Sequence, residues 1–78
     1  MELKPDKKAL IELAYAKMHF GKYKGLFLSE IPEYYLIWYR QKSFPEGKLG
    51  DQLQQVTELK VNGMESILRN IRLRYPNN

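Results

Sequence analysis

Apolar side chains return at intervals of three and four along the first segment of the chain: Leu10, Ile11, Ala14, Tyr15 and Met18, with Leu13 widening the stripe. That spacing stacks them on one face of a 3.6-residue repeat and predicts an amphipathic helix between Asp6 and Met18. The helix should begin near Pro5-Asp6, where proline fits the first turn and an acid complements the positive dipole end. Lys7, Lys8, Glu12 and Lys17 fill its wet face. Gly21 and Gly25 then bracket a segment that cannot continue the helix, and Phe20, Leu26, Phe27 and Leu28 on either side suit short strands. Residues 18–28 therefore read as a β-hairpin, or a looser turn of that shape.

Ser29-Glu30-Ile31-Pro32-Glu33 has the form of a helix entry, with Pro32 near the first turn and Glu33 close to the dipole. The helix over 32–42 that follows, Tyr34-Tyr35-Leu36-Ile37-Trp38-Tyr39-Arg40-Gln41, is apolar on most of its circumference and is the expected centre of the fold. Phe44-Pro45-Glu46-Gly47 ends it. Across 48–74, Leu49, Leu53, Val56, Met64, Ile67, Leu68 and Ile71 keep a helical period. Lys60 falls on the same stripe, its stem carrying the charge outward. Asn62-Gly63 interrupts that stretch, either as a C-cap between two helices or as a kink in one, so a bend or break is predicted there. Tyr75-Pro76-Asn77-Asn78 should fray. The elements together predict an α+β fold dominated by helices, in one domain spanning 1–78.

Length agrees with that single domain, because 78 residues are barely enough for one core. Ten aromatic side chains (one Trp, six Tyr, three Phe) help to fill it. Cysteine is absent, which excludes a disulfide framework and a thiolate zinc site. The N-terminal residues lack an apolar run of signal-peptide length, and no stretch approaches a membrane span. The expectation is a cytoplasmic protein with no membrane partner. Net charge is +4, divided as +3 over residues 1–28, −2 over 29–58 and +3 over 59–78. If the fold joins the two basic ends, they form one face suited to phosphates; otherwise they are ordinary solvated surface.

Five ordered motifs give the chain a likeness: Phe20-Gly21-Lys22-Tyr23-Lys24-Gly25, Ile31-Pro32, Tyr35-Leu36-Ile37-Trp38-Tyr39, Phe44-Pro45-Glu46-Gly47-Lys48-Leu49-Gly50, and Glu58-Leu59-Lys60-Val61-Asn62-Gly63-Met64-Glu65. Over about residues 18 to 70 the chain resembles a small bacterial family labelled putative quorum-sensing-regulated virulence factor, a domain of unknown function. His19 stands where that family usually has proline, and Ser43 where it usually has glycine. The first half also resembles the C-terminal module of exodeoxyribonuclease X-like proteins. That likeness implies, by association, a place near DNA, although this chain carries no acidic nuclease domain.

Lys22, Tyr23 and Lys24 are the candidate ligand contacts: ammonium groups neutralise phosphates, and a phenol ring offers a stacking surface. The glycines and Phe20 around them read as architecture, the glycines supplying positive φ. Arg69, Arg72 and Arg74 form a basic end to the last helix. Arg72 and Arg74 would extend a phosphate track if they lie beside the lysines, and otherwise complement the helix dipole. Tyr35, Trp38 and Tyr39 read as core, whereas an exposed Tyr34 or Phe44 would mark a partner surface. The sole histidine, His19, has no ligand or nucleophile at suitable spacing. Glu58, Lys60, Asn62 and Glu65 form no acid/base pair, and Asn62-Gly63 reads as structural.

These residues predict no metal, no cofactor and no enzyme. The expected function is a non-catalytic module binding DNA or RNA through the Lys-Tyr-Lys turn. The alternative is a module that binds a protein partner or a second copy of itself, in a groove between the Trp38 helix and the last helix.

Overall fold

The computed structural model describes residues 7–76. Among them the chain forms α1 (Lys7–Tyr15), a 3-10 turn (Leu28–Glu30), α2 (Glu33–Lys42), α3 (Lys48–Val61) and α4 (Ser66–Arg74). The predicted start near Pro5-Asp6 lies outside the described residues. α4 packs on α1, α2 packs on α3, and the 3-10 turn lies against both α1 and α3. Leu13 and Ala14 of α1, Met18, Leu28 and Ile31 of the connection, Leu36 of α2, Leu53 and Val56 of α3 and Leu68 of α4 make the buried core.

The fold is helical, and the predicted α+β class is corrected: the described residues contain no strand and no sheet. What stands in place of the hairpin is a closed loop with a single antiparallel bridge, Lys17 to Phe27. Its neck is held by Met18 N–H to Leu26 C=O (2.9 Å), Gly25 N–H to Met18 C=O (2.9 Å) and Leu28 N–H to Ala16 C=O (2.8 Å). A ladder cannot extend from there. Below the bridge, Leu28 turns into the 3-10 turn and enters the core; above it, five residues from Gly21 to Gly25 form the tip; and no third strand is present among the described residues to stabilise a pair that is marginal alone.

α1 ends at Tyr15, three residues before the predicted end, because Ala16–Met18 are used by that neck. α2 is not the centre of the fold: only its Leu36 is fully buried. The predicted interruption at Asn62-Gly63 is a break. Gly63, at φ 70°, donates its N–H to the Lys60 carbonyl (3.0 Å), and Met64 donates to the Leu59 carbonyl (2.8 Å). These two bonds form a Schellman ending that satisfies carbonyls left open at the end of α3. The reversal resets the helical phase, so Met64 and Ile67, on the predicted stripe, are exposed while Leu68 is buried.

Tyr75, expected to fray, is tied down. Its carbonyl accepts the Tyr15 hydroxyl (2.7 Å), its N–H reaches the Ile71 carbonyl (2.8 Å), and the Lys7 ammonium lies 4.7 Å from its ring centre. The rest of the predicted tail, Asn77 and Asn78, lies outside the described residues.

Candidate functional site

The loop tip is a turn of defined shape. Lys24 N–H reaches the Gly21 carbonyl (3.2 Å) and Leu26 N–H reaches the Tyr23 carbonyl (3.1 Å). Gly21 and Gly25 both take positive φ, 81° and 89°, which a Cβ disfavours, so their architectural role holds. Lys22 and Lys24 are exposed, and no ion pair among the described residues engages either one. Phe20, read as architecture, is 45% exposed and lies outside the core.

Tyr23 fixes the tip to α2. Its ring packs edge-on to Tyr35, with centres 4.8 Å apart, and its hydroxyl shares a 3.1 Å hydrogen bond with the Tyr34 hydroxyl. That bond, then partial burial and the nearby Tyr34 and Tyr35 phenols, hold the Tyr23 hydroxyl above the ordinary phenol value of 10.0, so it stays protonated and keeps the contact throughout the neutral range. The Lys22 ammonium lies 5.5 Å from the Tyr23 ring centre.

Tyr35 is the hub of a wider ring cluster. Trp38 lies 5.5 Å and Tyr39 6.1 Å from it, and Tyr39 meets Phe44 at 5.2 Å. The expectation that Tyr35, Trp38 and Tyr39 are core is corrected: Tyr35 and Tyr39 are half-buried, and Trp38 is 49% exposed. Tyr34 is 68% exposed, as a partner surface requires, whereas Phe44 is half-buried against Tyr39. Sequence reasoning missed Trp38 because an aromatic-rich helix suggests burial all round. The signal against it was the series Tyr34, Trp38, Lys42, each four apart, in which a lysine occupies the third position of the stripe.

Arg72 turns inward. Its side chain is 11% exposed and donates to the Ala14 carbonyl (2.6 Å), the Ser29 Oγ (3.1 Å) and the Glu30 Oε2 (3.1 Å). Its guanidinium also lies 4.0 Å from the Phe27 ring centre. Arg69 meets the same Glu30 carboxylate at 3.1 Å. Arg72 therefore clamps α4, α1 and the 3-10 turn together and braces the loop neck. Its position one turn after buried Leu68 already placed it on the inward face. Arg74 is exposed at the end of α4, where it lines a hollow with Ile67, Asn70, Ile71 and Leu73.

The other polar candidates are structural. Glu58 pairs with Arg40 (3.5 Å), Asn62 Nδ2 donates to the Glu58 carbonyl (2.8 Å), and Lys60 turns in to the Ser29 carbonyl (2.5 Å) instead of carrying its charge outward. One buried oxygen of Glu65 has no hydrogen-bond partner among the described residues. His19 is exposed. No group of three His, Asp or Glu side chains able to hold a metal ion occurs among the described residues, and none of their helices is long and apolar enough to cross a membrane.

A small helical module with a basic turn seated on tyrosines is thus the class that fold and site define. The family model described as "Putative quorum-sensing-regulated virulence factor" matches residues 6–71, and the chain belongs to that family. It is 43% identical over 65 residues to "Uncharacterized protein YpeB" of Escherichia coli strain K12 and, equally, to the protein of that name in Escherichia coli O157:H7. Those 65 residues cover 82% of this chain and 90% of either relative. No solved structure matches the chain.

Proposed function

We propose that this protein is a non-catalytic nucleic-acid-binding module whose primary contact is the Lys22-Tyr23-Lys24 turn. The observation that carries the reading is the pairing of two exposed lysines, free of ion pairs among the described residues, with a tip held in shape by its own backbone bonds and by Tyr23. A turn ordered in advance loses little entropy on binding, and phosphate contact is the chemistry two adjacent ammonium groups do best. Arg72 belongs to the frame of this module and Arg74 is peripheral to it. The test is titration of labelled DNA and RNA oligonucleotides at low salt. The native protein binds, and Lys22→Glu with Lys24→Glu loses most of the affinity without loss of helicity. Absence of binding to every oligonucleotide would overturn the proposal.

A second reading, docking of a protein or a second copy, is favoured by the outer side of α4, where Leu73 is 75% exposed and Ile67 is also open, together with exposed Met64 in the turn before it. The groove predicted between the Trp38 helix and the last helix is replaced in this reading, because α2 packs on α3 and α4 on α1. Light scattering across protein concentration tests it: self-association that Leu73→Lys abolishes supports the reading, and a strict monomer removes its homomeric form.

A further inference from the structure

We infer that the binding surface continues from the turn onto α2, where Tyr34, Trp38 and Lys42 make a stacking track for single-stranded nucleic acid. This deepens the proposed function and rests on it. The three side chains are four residues apart, which places them on one face at steps of about 6 Å along the helix axis. All three positions are exposed. The buried side of the same helix is marked by Leu36, and Arg40 faces Glu58 of α3, so the Tyr34-Trp38-Lys42 stripe points away from the fold.

The turn and the stripe adjoin. Tyr23 touches Tyr34 through the hydroxyl bond and Tyr35 through its ring, and Tyr35 also touches Trp38. Lys22 and Lys24 thus stand at one end of an exposed aromatic surface and Lys42 at the other. No ion pair among the described residues engages any of the three.

Cations at both ends and π-faces between them match a strand whose phosphates run along the surface while its bases lie on the rings. A duplex hides its base faces within the stack and offers only phosphates to the same surface. An apolar protein partner would leave three ammonium groups without counter-charges, so charge complementarity favours the nucleic acid.

The chain has one tryptophan, so its fluorescence reports on this surface alone. The experiment titrates the full chain with oligo-dT, oligo-U and a duplex of equal length, reading Trp38 emission and oligonucleotide anisotropy. The inference expects tighter binding to the single strands than to the duplex, with Trp38 quenched. The oligo-dT and oligo-U arms show whether DNA or RNA is preferred. Trp38→Leu should weaken single-strand binding about tenfold, the effect of losing one base-ring stack, and weaken duplex binding far less, whereas Tyr34→Ala, which also removes the hydroxyl bond that seats Tyr23, should weaken both. Trp38→Phe, which keeps a ring, should recover most of the loss and guards against a folding artefact. Equal affinity for both forms with unchanged Trp38 emission overturns the stacking track while leaving the lysine turn intact. Failure of all three oligonucleotides to bind overturns both, and would leave the aromatic surface to a protein.

Discussion

Gly50 lies in the first turns of α3, directly under the Pro45 carbonyl: a Cβ at this position would fall 1.7 Å from that oxygen. The obstacle is backbone, so it cannot swing aside as a side-chain end would. This contact explains the spacing within Phe44-Pro45-Glu46-Gly47-Lys48-Leu49-Gly50, where a proline-containing turn folds back on the helix it introduces. Gly50→Ala should destabilise the protein by about 3 kcal/mol, at the upper end for overpacking, measured by urea unfolding. Ser43 carries the opposite strain. It ends α2 at φ 81°, ψ 119°, a region unfavourable to any residue with a Cβ. Glycine, which has no Cβ, takes this backbone without that penalty. Ser43→Gly should raise stability by about 1 kcal/mol in the same assay, since relief of backbone strain exceeds the added freedom of the unfolded chain.

Among the elements, the helices were the legible part. The α1 stripe, the 32–42 helix and the break at Asn62-Gly63 could all be read from spacing and breaker residues because each is decided locally. The segment over 18–28 was not legible. Its strand-forming residues describe a local preference, but whether a hairpin forms depends on a third strand that the other described residues do not supply. Burial on α2 was misread for a related reason: periodicity gives faces, and the neighbour that covers a face is decided by packing. α3 covers one side of α2 and leaves Tyr34 and Trp38 open. Arg72 shows the same limit at the site. Composition made it a candidate phosphate ligand, whereas its place after Leu68 makes it a clamp. Arg72→Ala should cost about 3 kcal/mol, because it removes charge-assisted bonds to α1 and the 3-10 turn together. Arg74→Ala should change stability by less than about 0.5 kcal/mol. Urea unfolding of the two variants checks the contrast.

Across the whole molecule, the two basic ends meet only in part. α4 does pack on α1, yet Arg69 and Arg72 are drawn onto Glu30, and of the middle segment's cations Arg40 is paired with Glu58 and Lys48 with Glu12. Lys7, Lys17 and Arg74 also stand outside these ion pairs, but Lys22, Lys24 and Lys42 are the cations that flank the exposed rings. The central claim therefore predicts a countable electrostatic effect. Affinity for a single-stranded oligonucleotide, followed across salt concentration, should fall with a log-log slope of about −2, near −0.7 for each of the three phosphates neutralised. In the double variant Lys22→Gln, Lys24→Gln the slope should shrink to about −0.7 as affinity drops. No binding at low salt, or a double variant with native affinity and slope, would contradict the account.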